Sequence, residues 1–104
     1  MCGIFCIVGK NYKELNIKKI LDVQQHRGPD FSNYISINDL VLGSNRLKII
    51  DLSDNANMPL NHGPINIVFN GFISNFKTLR KEMMNSGIKF KTNCDTEVLA
   101  AMLH

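Results

Sequence analysis

The sequence predicts a single α+β domain built in layers, on three observations. Short runs rich in Ile, Val and Phe recur at residues 2–8, 34–37, 40–50 and 65–71, each bounded by glycine or polar turn residues. Helical apolar spacing occupies 14–25, 75–86 and 95–103. Strands fall together and helices fall in pairs, which fits segregated layers better than a simple strand–helix–strand repeat.

Each element has its own justification. CGIFCIV at residues 2–8 reads as a buried strand that begins at the second residue and ends before Gly9. Ile17, Ile20, Leu21 and Gln24 follow helical spacing, and Gly28 and Pro29 end that helix, so HRGPD at 26–30 is a loop. A turn at Asn38 and Asp39 pairs 34–37 with 40–50 as a hairpin. The polar stretch 51–64 is broken by Pro59, Gly63 and Pro64, and INIVFNG at 65–71 gives a further strand. Ser74 is the expected N-cap of the next helix, with Phe76, Leu79 and Met83 as its apolar stripe and Gly87 as its stop. Ile88 and Phe90 suggest a short strand. Asp95 is the expected cap of the last helix, with Val98, Leu99, Met102 and Leu103 on one face.

Composition narrows the function classes. Of 104 residues, 44% are apolar and 20% charged, the balance of a folding chain with little core to spare at this length. A net charge of +3 with only three arginines and no basic cluster interleaved with aromatics argues against nucleic acid. The apolar run at 4–8 is too short for a signal-peptide core or a membrane span. With the odd count of three cysteines, Cys2, Cys6 and Cys94, this points to reduced thiols and a cytoplasmic chain with no membrane association. Two thiols four residues apart lack a third ligand nearby, and His26, His62 and His104 fall in no ligand pattern, so no metal is expected. Cys6 and Cys94 read as structural, and Met83, Met84, Phe72 and Phe76 as packing.

Cys2 is the residue most able to do covalent chemistry. Initiator Met is removed before a small second residue, and its loss would put a thiol and a free α-amine on one residue. With a pKa of roughly 7.7–8.0 such an amine can take the thiol proton, through a water, during attack. A small buried side chain at a strand start is the plainer reading of position alone.

MCGIFCIVG, HRGPD, RLKIIDLS, FNGFISNF and CDTEVLAAML occur in that order along nearly the whole chain. Together they resemble the glutaminase domain of the class II, N-terminal nucleophile glutamine amidotransferases, in its asparagine-synthetase branch. The resemblance implies an N-terminal nucleophile hydrolase fold, a four-layer αββα sandwich of which residues 1–104 are the first half. It implies that Cys2 attacks the side-chain amide of glutamine, forming a glutamyl thioester and releasing ammonia. Asn70 and the backbone N–H of Gly71 would bind the oxyanion. Arg46 would grip the substrate α-carboxylate and Asp95 its α-ammonium. Arg27, Gly28, Pro29 and Asp30 would support the site, with Arg27 and Asp30 paired to order the loop. The family's partner is a synthetase domain or subunit that takes the ammonia. No cofactor is implied in this chain, while ATP and magnesium belong to that further domain.

Two departures bear on these expectations. Phe72 and Ser74 stand where an acidic residue and a tyrosine are usual, so Asp95 would hold the ammonium more nearly alone and glutamine would bind more weakly. Ser44 stands where a histidine is common. A half-domain would also expose an apolar sheet face, which favours a homo-dimer or aggregation. Phe72 keeps open the glucosamine-6-phosphate synthase and phosphoribosyl-pyrophosphate amidotransferase branches. Together with the short length, it keeps open a non-catalytic remnant that binds glutamine or a partner.

Overall fold

The Ile-, Val- and Leu-containing runs from Gly3 to Val8 (β1), Phe31 to Ile37 (β2) and Leu40 to Arg46 (β3) pair into one antiparallel sheet with the order β1–β3–β2. The computed structural model describes residues 2–104, so the expected removal of Met1 lies outside the described residues. The Asn38–Asp39 turn forms as expected, with Asn38 in the left-handed region at φ 53° and Ile37 opposite Leu40. Asn tolerates that conformation better than a branched residue would.

Register decides what each sheet face carries. Directly opposed residues of an antiparallel pair share a face. Ile4, Ser44 and Asn33 therefore lie together, as do Cys6, Leu42 and Ile35, and Val8, Leu40 and Ile37. The other face bears Gly3, Asn45 and Ser32, then Phe5, Gly43 and Tyr34. A helix, α1 (Ile17–Val23), packs on this second face, where the Asn45 amide donates to Leu21 O at 2.9 Å. The first face is left open at Val8, which is 75% exposed, and at Ile4 and Ile37. Cys6 is exposed there too, so it is not the packed residue expected.

The expected helix over 14–25 is shorter and interrupted. Asn16 caps α1 by accepting the Lys19 N–H, and 3-10 turns flank it at Tyr12–Glu14 and Gln25–Arg27. The second turn takes in His26 and Arg27, so the loop proper starts at Gly28.

Beyond β3 lies a second assembly. Leu60–His62 (β4) and Ile65–Ile67 (β5) form a two-stranded hairpin around Gly63, φ 56°. The stretch 51–64 thus contains a strand that its prolines hid, while the strand expected over 65–71 pairs only as far as Ile67. Helices α2 (Phe76–Asn85) and α3 (Asp95–Leu103) follow. Phe76 N–H bonds Ile73 O, so a turn takes up Ser74 and the cap position falls on Asn75, with no side-chain cap. Gly87, φ 96°, ends α2 as expected. Residues 88–90 form no strand: Ile88 N–H folds back to Met83 O, and no strand pairs with them among the described residues.

α3 is the central helix of this assembly. Its first residues through Val98, with Ala100 and Ala101, are buried, whereas Met102 and Leu103 are exposed. The core beside it comprises Ala56, Met58, Leu60, Ile67, Cys94 and Ala100, with Cys2 packed against it. Among the described residues no helix is long and apolar enough to cross a membrane.

Candidate active site

The start of β1 reaches the junction of the two assemblies. There the Cys2 sulfur accepts the Leu47 N–H at 3.3 Å and lies 3.9 Å from Leu47 O, just past the end of β3. The contact holds a half-buried thiol against the central strand of the sheet. It opens on a cavity of about 280 Å³ whose wall also includes Arg46, Asn70, Gly71 and Asp95. The five residues expected from the sequence to react with substrate or hold it therefore meet at one cavity, although Cys2 and Asp95 lie near opposite ends of the chain. The supporting residues Arg27, Gly28, Pro29 and Asp30 do not line it.

Arg46 is buried, and its guanidinium is already engaged. Nη1 donates to Ser53 O at 2.8 Å and to Asn57 Oδ1 at 2.7 Å, and Nη2 donates to Asp51 O. Three of the five guanidinium donors thus shape the loop 51–57, which leaves two for a ligand. Asp51 extends the tie: its Oδ1 accepts Ser53 N–H at 2.8 Å and its Oδ2 accepts Asn93 N–H at 2.7 Å. Hydrogen bonds from Ser53 and from Asn93 N–H hold its carboxyl below its ordinary value of 3.8. The charge of Asp51 thereby links the arginine loop to the segment leading into α3.

Asn70 and Gly71 follow β5 in an unpaired segment. Asn70 Oδ1 is buried with no partner among the described residues, an uncommitted amide in the cavity wall. A buried polar group without a partner costs about 1–3 kcal/mol, so it is a natural place for a ligand or water to bind. At Gly71 a Cβ would come within 2.7 Å of the Phe69 ring, so any side chain there would have to displace the aromatic. Phe72, expected to pack, is instead 65% exposed at the cavity mouth, edge-on to Phe76 at 6.4 Å between centroids. Ile49 and Ile50 are exposed beside the cavity as well.

Asp95 is not the helix cap the sequence suggested. Cys94 holds the N-cap position, and Asp95, the first residue of α3, accepts Ile73 N–H at 3.0 Å through Oδ2. The carboxylate is 4% exposed and forms part of the cavity wall at a helix N-terminus, where the helix dipole favours an anion. Cys94 and Thr96 flank it in the same wall.

The HRGPD loop acts differently from the expectation. Among the described residues no Arg27–Asp30 ion pair forms: Arg27 is exposed, and Asp30 Oδ2 accepts Lys48 N–H at 2.8 Å while Asp30 N–H bonds Arg46 O at 3.1 Å. The reason is geometric, because the loop pairs with the end of β3 and its carboxylate meets backbone donors there first. Gly28 is the residue that permits this approach. A Cβ at position 28 would lie 2.1 Å from Asn45 O, against backbone that cannot give way.

Sequence reasoning missed Asp51, Glu97 and His62. Glu97 is 1% exposed and bonded to His62 Nδ1 at 3.2 Å. A signal for it existed, since an acidic residue directly ahead of the apolar run VLAAML must find donors when buried. His62 gave none.

The model of the glutamine amidotransferase domain matches residues 1–104, the whole chain. Among curated proteins, asparagine synthetase [glutamine-hydrolyzing] 1 of Bacillus subtilis (strain 168) is 37% identical, over 97% of this chain and 17% of its own length. The nodule asparagine synthetase [glutamine-hydrolyzing] of Pisum sativum is 34% identical, and asparagine synthetase [glutamine-hydrolyzing] 2 of Lotus japonicus 33%, each over 96% of this chain and 18% of its own length. The chain thus spans less than a fifth of these relatives. No solved structure matches it. With five chemically apt residues gathered at one cavity and a family match along the full sequence, this chain belongs to the glutamine amidotransferase domain family.

Proposed function

We propose that the chain carries the nucleophile and substrate-gripping groups of a glutaminase site that passes ammonia to an asparagine-synthetase-like synthetase domain or subunit. The observation that carries this reading is the meeting of Cys2, Arg46, Asn70, Gly71 and Asp95 at one cavity. A volume of about 280 Å³ lies near the low end of small-molecule sites, as suits a free amino acid.

The chemistry follows from the groups present. With Met1 removed, the α-amine of Cys2 takes the thiol proton as sulfur attacks the amide carbon of glutamine. The developing oxyanion is met by the Asn70 side-chain amide and the Gly71 N–H, neutral donors that stabilise negative charge as it forms. The C–N bond then breaks, the amine returns the proton, and ammonia leaves a glutamyl thioester. Water hydrolyses that thioester to glutamate and regenerates the thiol. The two free donors of Arg46 hold the substrate α-carboxylate, and Asp95 holds its α-ammonium. Arg27, Gly28, Pro29 and Asp30 act only in support.

The wider reading has the N-terminal nucleophile hydrolase sandwich as its fold, with a second sheet covering the open face at Ile4, Val8 and Ile37. It includes a cytoplasmic setting, ATP and magnesium used only by the synthetase domain, and a homo-dimer when the face stays open. The test is intact-mass spectrometry after exposure to an electrophilic glutamine analogue. The expected result is loss of Met1 with one adduct on Cys2, blocked by excess glutamine. An unlabelled chain both here and in a version carrying the rest of the domain overturns the catalytic reading in favour of a binding remnant.

A further inference from the structure

The proposed reaction leaves one buried charge unused. Glu97 is among the largest fully buried side chains, at 1% exposure. A carboxylate so placed is tolerated only when its oxygens are hydrogen-bonded. Oε1 accepts Lys91 N–H at 3.0 Å and meets His62 Nδ1 at 3.2 Å. Oε2 accepts Thr92 N–H at 2.8 Å and the Thr92 hydroxyl at 2.6 Å. One side chain on α3 thereby fixes both β4 and the segment before its own helix.

The Thr92 hydroxyl gives this network its direction. It has one proton, and a carboxylate can only accept, so that proton goes to Glu97. The oxygen's lone pairs are then turned toward Cys94, whose N–H donates to it at 3.3 Å and whose sulfur lies 3.1 Å away. Cys94 is the N-cap of α3, immediately before Asp95. A continuous chain of bonds thus runs from Glu97 through Thr92 to the N–H and sulfur of Cys94, the residue directly before Asp95. Glu97 itself does not reach the cavity.

We propose that Glu97, acting through Thr92, is a positioning residue for Asp95 and so sets recognition of the α-ammonium group of an amino-acid substrate. This rests on the proposed role of Asp95 as the receiver of that ammonium. Glutamine at position 97 replaces one acceptor oxygen by an NH₂ group, which must face an existing donor from Lys91, Thr92 or His62. With that group in the Oε2 place, the Thr92 hydroxyl loses its acceptor and its fixed direction, and Asp95 its fixed place; Thr92→Val removes the hydroxyl outright.

The test compares the unaltered chain with Glu97→Gln and Thr92→Val by two readouts. The first is amide hydrogen exchange at Cys94 and at Ile73, whose N–H reports on Asp95 Oδ2. The second is the dissociation constant for glutamine and for its desamino analogue, 4-carbamoylbutanoate. Both variants should lose protection at Cys94 and Ile73 while β3 keeps its own. They should bind glutamine about tenfold more weakly, yet bind the desamino analogue unchanged. Unaltered exchange at both amides overturns the proposal, as do equal losses for the two ligands. If the unaltered chain binds no glutamine, the glutaminase reading fails, and the exchange readout still decides whether Glu97 positions Asp95.

Discussion

At the scale of single residues, two features make quantitative demands. The Gly28 backbone lies against the carbonyl of Asn45, closer than any side chain allows. Gly28→Ala should cost about 1–3 kcal/mol, by forcing the loop off β3 as overpacking does, and urea unfolding measures it. Asp51 and Glu97 make the second demand. Burial raises the Glu97 carboxyl, but the donors from Lys91, Thr92 and His62 outweigh it and hold the group below its ordinary value of 4.5. Asp51 is lowered by its bonds from Ser53 and Asn93. A depressed carboxyl stabilises the fold above its unfolded pKa, and that stability is lost as pH falls through the folded value. Midpoints of denaturation should therefore drop as the solution is acidified below about pH 4.5, with a shallower slope in Asp51→Asn.

At the scale of elements, the segment after β5 matters most for substrate. Phe72 lies exposed in the cavity wall, at the position where the family resemblance leads one to expect an acid. Phe72→Glu should lower the KM for glutamine several-fold, on the order expected for a charge-assisted contact, with kcat little changed. An unchanged KM in a steady-state glutaminase assay would count against the role given to position 72. The sequence made the sheet strands, the Asn38 turn and the stop at Gly87 legible, because side-chain period and turn chemistry are local. It hid β4, whose hairpin is set by pairing with β5 across Gly63 rather than by its own pattern. It misplaced both helix caps for a related reason. Ser74 and Asp95 have capping side chains, but one lies in a turn and the other spends its carboxylate on Ile73, a contact distant in sequence. The five candidate residues that meet at the cavity were named from motifs, while the commitment of Arg46 to loop 51–57 appeared only once the chain was folded.

At the scale of the molecule, the shape is extended. The radius of gyration is 14.3 Å and the axes are 46, 28 and 19 Å, against about 13 Å for a compact chain of this length. One face of the three-stranded sheet is open, with Ile4, Val8 and Ile37 exposed on it. Val8→Lys with Ile37→Lys should shift the chain toward monomer in sedimentation at high concentration. The unsubstituted chain should self-associate under the same conditions. A chain that stays monomeric in both forms would remove the case for a homo-dimer through this face.

The order β1–β3–β2 also governs timing during synthesis. β1 is made first, yet its partner strand comes a long way down the chain, and Cys2 meets its anchor only at Leu47, 45 residues later. At roughly 5–20 residues per second that interval is about 2–9 s. Throughout it β1 lacks its partner strand and Cys2 lacks the backbone contact that later holds its sulfur beside the cavity. On the reading proposed above, any trimming ahead of Cys2 has that interval in which to act.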